Sequence, residues 1–461
     1  MRDRTAPPLP AEGRIHVIGA GGAGMSALAK ILVGRGFEVT GSDLKPGRNL
    51  EALGDMGITT WLGHRPDGVA GADLVVASSA VPPNDAEIVA AERTGIPVWM
   101  RPTLLEALTA AQPAIGLAGT HGKTTSTAMA VTALHGVGVD PTFIVGGEMA
   151  ALNTGAHLGK DDLFVLEADE AFGTFRHLHL SALLVTNVEA DHLDYYRSVA
   201  GLEEAFALVA NRVDGPVVGC LDDPGVRRLA ERADVIGYAM EGDAAWRIHD
   251  VVHGAGEVAF RLEGPEGEEQ PVTVPLPGTH IARNAAGVLV VLSSYGYDLA
   301  ALAEGLADFR GVRRRFETRG RVRGVTVVDD YAHHPTEVAA TIAAGRHGGW
   351  ERVIAVFQPH RYTRTANLAA QFGAPLAGAD QIIVTDIYAA GEAPIPGVSG
   401  KLVAEAAAAA GGAVTYIPSL GDVPQAVVAM AQPGDVVLLL GAGDITGVAE
   451  RLLAQLDGDG S

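Results

Sequence analysis

The segment from Ala114 to Thr127 constrains this chain more than any other. It begins with the apolar run Ala-Ile-Gly-Leu-Ala, which is typical of a buried strand. It continues through Gly-Thr-His-Gly-Lys-Thr-Thr into residues 127–135, which can form a helix. Glycines let backbone N–H groups approach an anion, and the start of a helix adds its positive dipole end. The pattern therefore predicts a phosphate-binding loop between a strand and a helix.

Residue types within this loop suit a nucleoside triphosphate. Lys123 would supply a cation for the outer phosphates, and Thr124 a hydroxyl for the accompanying Mg²⁺. The loop is shorter than the usual GxxxxGK[ST] form, because Leu117 stands six positions before the lysine. A glycine-rich turn with a surface lysine is the alternative. The predicted ATP-binding residues of the loop are Gly119, Thr120, His121, Gly122, Lys123, Thr124 and Thr125.

Length and repeated β-α-β alternation indicate an α/β protein of three domains. At 461 residues the chain exceeds one ordinary core, and we expect domains at residues 1–108, 109–318 and 319–461. The first and third are predicted to be Rossmann-like, and the central one to be a P-loop ATPase-like α/β domain with extra β-hairpins. Residues 216–273 are β-rich and are interpreted as this hairpin decoration.

The formal net charge of −21 argues against nucleic-acid binding and against binding to an anionic membrane surface. We therefore expect small-molecule partners, and a monomer or weak homodimer. Cys220 is the single cysteine, which excludes an internal disulfide. No apolar run approaches the ~20 residues of a membrane helix, and the first residues lack the apolar core of a signal peptide. A cytoplasmic location is expected.

A second glycine-rich turn, Gly19-x-Gly21-x-x-Gly24, follows the strand predicted at residues 14–18. The next strand ends at Asp43, about twenty positions on, where a Rossmann fingerprint places its ribose ligand. The first domain is therefore predicted to bind a nucleotide or diphosphate. A nicotinamide cofactor is the default interpretation, although the glycines do not identify the molecule that carries the diphosphate. A glycine-rich turn with a purely structural role is the alternative. Three further residues at strand ends would border the crevice: His16, Ser78 and Arg101.

Acidic residues end two successive apolar strands of the central domain. The first strand leads into Glu167-Ala-Asp-Glu170, and the second, at 182–185, leads into a segment that contains Asp191 and His192. Carboxylates and an imidazole at the edge that bears the phosphate loop suit Mg²⁺ and a transferring phosphoryl group. We predict Glu167 and His192 as metal ligands, with Asp191 as second choice. Helix capping and solvated loop charges are the alternative for the neighbouring acidic residues.

Two more segments carry candidate binding groups. A helix that enters after residue 278 places His280 and Asn284 four residues apart, which suits contact with adenine or, alternatively, helix capping. Residues 309–317 hold four arginines and would clamp an anionic substrate or nucleotide, unless they form a solvated basic face.

Four apolar strands of the third domain, at residues 325–330, 352–357, 381–384 and 435–440, each end in polar residues. Because the carboxyl ends of parallel strands share one edge of a sheet, this pattern predicts a second doubly wound sheet with a ligand-binding edge.

In the order of its motifs, the chain resembles the Mur ligase family over nearly its whole length. The elements that carry the resemblance are Ile15-His-Val-Ile-Gly19 with Gly22-Ala-Gly-Met-Ser26, Gly119-Thr-His-Gly-Lys-Thr124, Glu167-Ala-Asp-Glu170, Asp329-Asp-Tyr-Ala-His-His-Pro335 and Phe357-Gln-Pro-His-Arg-Tyr-Thr-Arg364. The resemblance implies that the first domain binds the diphosphate of a UDP-sugar. It therefore excludes a nicotinamide cofactor as the ligand of this domain. It also implies ATP-dependent amide synthesis with Mg²⁺, in which a carboxylate becomes an acyl phosphate that an amine then attacks.

Within the family, the Gly22–Ser26 turn favours the member that joins L-alanine to UDP-N-acetylmuramate. A ligase that adds a preformed peptide, a NAD-dependent oxidoreductase with an incidental P-loop and a non-catalytic nucleotide-binding regulator are the competing interpretations. Two departures from the family pattern stand out: Ala171-Phe172 replaces the usual Ser-Asp, and Ile281 replaces the usual Asn after His280.

The resemblance assigns roles residue by residue. It implies catalytic roles for Lys123, Glu167, His192 and His333, and metal binding by Thr124, Glu167 and His192. It adds Asn284, Arg314 and Asp330 to the ATP-binding residues, and gives Tyr331, His360, Arg361 and Arg364 to the amino acid. The residues implied for the UDP-sugar are His16, Gly19, Gly21, Gly22, Gly24, Met25, Ser26, Asp43, Ser78 and Arg101.

Overall fold

The computed structural model describes residues 8–458, and within this range the strands form three sheets. The chain divides into two compact units. The first comprises residues up to 247 together with 263–270 and 284–306, and the second comprises 248–262, 271–283 and the residues from 307 onward. Among the described residues, no helix combines the length and apolarity that crossing a bilayer requires.

The N-terminal sheet is parallel, with strand order β3-β2-β1-β4-β5. Its strands are β1 (Arg14–Ile18), β2 (Glu38–Asp43), β3 (Thr59–Leu62), β4 (Leu74–Ala77) and β5 (Val98–Met100), and its helices are α1 (Ala23–Gly34), α2 (Arg48–Asp55), α3 (Ala86–Thr94) and α4 (Arg101–Ala110). The chain leaves β1 in one direction toward β2 and later returns to its other side as β4. The carboxyl ends of β1 and β4 therefore flank a topological switch point, where open α/β sheets bind ligands.

The central sheet begins with β6 and lies in the first unit. The elements of this part are β6 (Ala114–Ala118), α5 (Lys123–Gly136), β7 (Pro141–Met149), β8 (Thr154–His157), β9 (Asp161–Glu167), β10 (Ala182–Val185), α6 (Leu193–Tyr196), α7 (Val199–Ala210), β11 (Val217–Cys220), α8 (Pro224–Ala230) and β12 (Ile236–Ala239). Their order is β12-β11-β10-β6-β9-β7-β8, parallel except for β8. All five residues of β6 are buried, since helices cover both faces of a parallel sheet. β6 lies between β9 and β10, so the loops after those two strands flank the phosphate loop.

The expectation of hairpin decoration was wrong for residues 217–239. β11 and β12 extend the parallel sheet, and α8 begins where the Asp223 side chain accepts a hydrogen bond from Val226 N, with Pro224 in the first turn. β13 (Trp246–Gly254), β14 (Glu257–Glu263) and β15 (Glu269–Val274) then follow as neighbouring strands. The helices α9 (Thr279–Tyr295) and α10 (Leu299–Leu306) complete this part of the chain.

The C-terminal sheet lies in the second unit, with order β16-β17-β21-β18-β19-β20. Only β16 is antiparallel to its neighbour. Its strands are β16 (Glu317–Val322), β17 (Val325–Asp330), β18 (Arg352–Phe357), β19 (Gln381–Val384), β20 (Val414–Tyr416) and β21 (Asp435–Leu440), and its helices are α11 (Pro335–His347), α12 (Tyr362–Leu368), α13 (Gly373–Ala377), α14 (Lys401–Ala409), α15 (Val423–Met430) and α16 (Val448–Asp457). Because β17, β21, β18 and β19 run in parallel, the segments after them meet at one edge, as the sequence predicts.

Candidate active site

The glycine turn of the N-terminal sheet lies at the switch point. Gly19 has a φ of +81°, and its N–H donates to Ser42 O at 2.8 Å. A Cβ at Gly19 would stand 3.0 Å from Ser78 Cβ. The structure thus brings the predicted residues Gly19 and Ser78 together where β1 and β4 end.

Asp43 and Arg101 both lie against this turn. Gly21 N donates to Asp43 Oδ2 at 2.9 Å, and Lys45 N donates to Asp43 Oδ1 at 3.0 Å. The carboxylate therefore holds the glycine turn in addition to any contact with a ribose. The Arg101 guanidinium lies 3.2 Å from the position of a Cβ on Gly24, so a cation stands beside the turn. This placement suits a diphosphate.

Three residues predicted to contact the UDP-sugar are buried. The His16 ring has no exposed surface, lies 2.9 Å from Thr40 Oγ1 and 3.3 Å from Glu87 Oε2, and stacks on Trp61. Met25 and Ser26 are buried within α1. Contact of these three residues with the UDP-sugar stays a prediction. The burial of these side chains could not be predicted from the periodicity of the sequence, because a residue at the end of a strand can be either buried or exposed.

The phosphate loop joins β6 to α5 and depends on two glycines. Gly119 has a φ of +128°, and a Cβ there would stand 2.1 Å from Thr186 Oγ1. Gly122 has a φ of +86° and directly precedes α5. Positive φ angles at these two positions turn the backbone N–H groups as an anion-binding loop requires.

Residues that follow β10 form hydrogen bonds with the phosphate loop. His121 N donates to Asn187 Oδ1 at 2.8 Å, and Asn187 Nδ2 donates back to His121 O at 3.0 Å. Thr120 Oγ1 accepts a hydrogen bond from Glu189 N at 2.9 Å, and His121 Nε2 lies 3.3 Å from Glu189 Oε2. The loop is therefore held in shape by side chains of the neighbouring strand.

Lys123 forms an ion pair with Glu170, a residue absent from the site predicted by sequence. Lys123 Nζ lies 2.8 Å and 3.0 Å from the two Glu170 carboxylate oxygens, and donates to Gly119 O at 2.6 Å. Burial alone would lower the pKa of Lys123, but the charges of Glu170, Asp169 and Glu167 raise it above its usual value. The lysine is therefore a permanent cation at the start of α5.

The predicted metal ligands lie on three elements. Thr124 is buried in the first turn of α5, and Glu167 ends β9, where its carboxylate accepts a hydrogen bond from Gly146 N. His192 has a φ of +53° and lies just before α6, 3.9 Å from Asp191 Oδ2. Among the described residues, neither Glu167 nor His192 belongs to a group of three His, Cys, Asp or Glu side chains with ligand atoms within 4.8 Å of one another. Metal binding by these residues stays a prediction.

Asn284 lies beside the phosphate loop. It is 8% exposed on α9, and a Cβ at Gly122 would stand 2.9 Å from Asn284 Oδ1. The amide therefore lies next to the loop residue that precedes Lys123, which suits a contact with the nucleotide. His280 is the second residue of α9.

Some arginines of the basic segment, residues 309–317, make contacts within the protein. Arg314 donates to Gly441 O at 2.6 Å and to Gly443 O at 3.2 Å, and its guanidinium lies 5.0 Å from the centre of the Tyr331 ring. Arg313 is about half exposed and lies 3.7 Å from Glu317. Arg314 thus joins the loop after β17 to the loop after β21, so it does not belong to a solvated basic face.

Two aspartates end β17 in different environments. Asp329 is fully buried and lies 3.3 Å from Arg319 NH1. Asp330 accepts hydrogen bonds from Phe316 N and Ala332 N, both at 2.7 Å. Burial raises the pKa of Asp330 to about 6 despite these bonds and the nearby Arg315.

Aromatic rings and imidazoles form a continuous row at the same edge. The ring centroids of Tyr331 and His333 are 5.2 Å apart, and those of His333 and His360 are 5.6 Å apart. Burial lowers the pKa of His333, and it lowers the pKa of His360 to about 4, so both imidazoles are neutral at pH 7. Arg361, with a φ of +67°, and Arg364 flank the start of α12. The structure therefore gathers the residues predicted for the amino acid.

Family models match the chain in three consecutive segments. Residues 14–113 match the "Mur ligase family, catalytic domain", residues 117–292 the "Mur ligase middle domain", and residues 314–443 the "Mur ligase, glutamate ligase domain". The chain belongs to the Mur ligase family. The predicted family and the predicted three-domain α/β fold class are thus confirmed.

This Mur ligase is similar to curated relatives along nearly its full length. It is 44% identical to the UDP-N-acetylmuramate–L-alanine ligase of Mycolicibacterium vanbaalenii, covering 97% of this chain and 98% of the relative. It is 41% identical to the enzyme of the same name from Thermobifida fusca, covering 96% and 97% of the two chains. A solved UDP-N-acetylmuramate–alanine ligase from Thermotoga maritima superposes with a TM-score of 0.83 at 27% identity, covering 97% of this chain and all of the other.

Sequence reasoning missed two residues that contact the predicted phosphate loop of this Mur ligase, Glu170 and Asn187. Both stand in segments that were singled out, but only the structure shows which carboxylate meets Lys123 and which amide holds His121. The available signal was their position just after β9 and β10, the two neighbours of β6.

Proposed function

We propose that this chain catalyses the ATP-dependent formation of an amide between the lactyl carboxylate of UDP-N-acetylmuramate and L-alanine. Full-length similarity to enzymes named for this pair of substrates carries the proposal. The local geometry of each unit supports it as well: the first unit has a glycine turn and a lysine-bearing phosphate loop, and the second has a row of neutral imidazoles.

The chemistry requires two anions to react. The lactyl carboxylate attacks the γ-phosphorus of ATP and releases ADP, and the resulting acyl phosphate is attacked by the amine of L-alanine. Phosphate then leaves from a tetrahedral intermediate. Lys123 and the backbone N–H groups between Gly119 and Gly122 are proposed to offset the charge that develops on the transferring phosphoryl group.

The residue types at this edge support Mg²⁺ as the metal. The Thr124 hydroxyl and the half-buried Glu167 carboxylate are hard oxygen donors, and His192 adds a nitrogen. We propose these three residues as its ligands. The ion would neutralise phosphate charge, while Lys123 and Asn284 orient the nucleotide through their own contacts.

Other residues are proposed to bind the remaining substrates. The residues proposed to hold the UDP-sugar are His16, Gly19, Gly21, Gly22, Gly24, Met25, Ser26, Asp43, Ser78 and Arg101. Arg314 and Asp330 are proposed to lie on the nucleotide side. His333 is proposed as a catalytic residue, and Tyr331, His360, Arg361 and Arg364 would hold L-alanine. An arginine pairs with a carboxylate in a forked geometry that lysine cannot copy.

Several broader features of this ligase are also proposals. We propose domain boundaries near residues 108 and 318, a cytoplasmic location, a monomer or weak homodimer, and no nucleic-acid or membrane partner. The net charge of −21 supports the absence of polyanionic partners.

The deciding experiment measures phosphate release by the full chain with ATP, Mg²⁺, UDP-N-acetylmuramate and either L-alanine or a tripeptide. We expect release that depends on L-alanine and on both other substrates. Higher activity with the tripeptide would establish a peptide ligase instead, and a change in nicotinamide absorbance without ATP would establish an oxidoreductase.

A further inference from the structure

Tyr388 lies beside His360 at the edge of the C-terminal sheet. Its ring is nearly parallel to the His360 imidazole, with centroids 5.7 Å apart and 12° between the planes. Arg361 N donates to Tyr388 O, and Tyr388 N donates to Pro359 O, both at 2.9 Å. The main chain and the ring contact together fix Tyr388 against His360.

Gly443 leaves the space that the Tyr388 ring occupies. A Cβ at Gly443 would stand 2.5 Å from Tyr388 Cγ and 2.7 Å from Tyr388 Cβ. It would also stand 2.5 Å from Gln358 Oε1. The φ of Gly443 is −90°, outside the left-handed region, so the positive-φ argument for glycine does not apply here. Glycine is required at this position to make room for its neighbours.

The hydroxyl of Tyr388 plays a lesser part in this arrangement. Tyr388 is 37% exposed. The contacts that fix the side chain are made by the ring, which stacks on His360, and by the Cβ and Cγ atoms, which lie close to Gly443.

We infer that Tyr388 is a positioning residue of the amino-acid subsite, whose ring holds the His360 imidazole in place and shields it from water. The inference rests on the proposed function, which assigns His360 to L-alanine. It adds a residue from the segment after β19 and gives Gly443 a defined role in the same subsite.

The groups around His360 determine how its pKa should respond to loss of the Tyr388 ring. His333, Arg361 and Arg364 disfavour its protonated form, and Glu392 favours it. Burial is the largest cause of its lowered pKa. Removing the Tyr388 ring would admit water, so the pKa of His360 should rise from about 4 toward its usual value of 6.5.

The test compares Tyr388→Ala, Tyr388→Phe and Gly443→Ala in the full chain. We expect the KM for L-alanine to rise about threefold to tenfold in Tyr388→Ala and Gly443→Ala, the effect of losing one aromatic contact, while the KM for ATP stays unchanged in Tyr388→Ala. Tyr388→Phe keeps the ring and should stay within about twofold of the wild type. Val428→Ala removes an apolar side chain of similar exposure (38%) from α15 and is the control.

An NMR titration of the His360 imidazole provides a readout that is independent of turnover. An upward pKa shift in Tyr388→Ala, absent in Tyr388→Phe, supports the inference. An equal rise in the KM for L-alanine in Tyr388→Phe and Tyr388→Ala would overturn it, because the hydroxyl and not the ring would then be responsible for the effect. An unshifted His360 in Tyr388→Ala would overturn it as well. If the wild type released no phosphate with L-alanine, the proposed function would fail, yet this titration would still decide whether Tyr388 shields His360.

Discussion

Lys123 Nζ lies 2.8 Å from Glu170 Oε2, and the two side chains are 14% and 1% exposed. The pair joins the first turn of α5 to the segment after β9, across two adjacent strands of the central sheet. A charge-assisted contact with so little exposure holds the lysine at the phosphate loop and keeps it protonated.

The charge of Lys123 is expected to matter for turnover. Lys123→Ala should lower kcat by roughly 10²-fold or more, because it removes a donor to the charge that develops on the phosphoryl group. Phosphate release measures this, with circular dichroism to show that the variant is folded. Lys160→Ala, which removes an exposed lysine in the same unit, is the control. Near-normal turnover in Lys123→Ala would contradict the assigned role.

Breaking the ion pair from its other side should reduce stability. Glu170→Gln leaves a buried ammonium group without its counter-charge, and we expect the free energy of unfolding to fall by about 3 kcal/mol. Urea denaturation measures the change. The double variant Lys123→Met/Glu170→Gln should lose less than the sum of the two single losses, since the groups interact directly. Strictly additive losses would show that the pair contributes no coupling.

Gly119→Ala tests whether the loop geometry depends on glycine. The new Cβ would meet Thr186 Oγ1 and Asn187 N at a φ of +128°, so we expect the Kd for ATP to rise roughly tenfold or more. Gly138→Ala is the control, because Gly138 also has a positive φ of +81° but no atom within 4 Å of its Cβ position. It should lose about 1 kcal/mol of stability and keep its affinity for ATP. Isothermal titration calorimetry distinguishes the two, and equal affinities would refute the prediction.

The raised pKa of Asp330 predicts a pH dependence of stability. Its folded value of about 6 exceeds the usual 3.8, so the protonated carboxyl favours the folded state. This contribution is fully present below about pH 4 and is lost as the pH rises through 6. Relative to Asp330→Asn, the wild type should therefore lose about 3 kcal/mol between pH 4 and pH 7. Urea unfolding at several pH values measures the difference, and the exposed Asp457→Asn should show no such trend.

Removal of the divalent cation should abolish turnover. We expect EDTA to stop phosphate release and added Mg²⁺ to restore it. Glu167→Gln should raise the Mg²⁺ concentration for half-maximal rate by roughly tenfold or more, because a carboxylate ligand is lost. Glu204→Gln, on the exposed face of α7, is the control. An unchanged Mg²⁺ requirement in Glu167→Gln would remove this residue from the proposed ligands.

Local chemistry made much of this protein predictable. Apolar runs that end in glycine or polar residues and precede a helix specify β-α units, and the glycines at 19, 119 and 122 adopt the positive φ values that anion-binding turns require. These features depend on residues close in sequence, so the fold class and the positions of the two glycine turns followed from the chain alone.

Only the tertiary structure decided which side chains meet. It paired Lys123 with Glu170, buried His16 against Glu87, extended the central sheet through β11 and β12, and placed Tyr388 on His360. Each of these contacts joins residues that are distant in the sequence, and strand order and burial depth are set by the packing of the whole sheet. Periodicity along the chain does not contain that information, because it places a residue on an element without identifying the neighbour of that element.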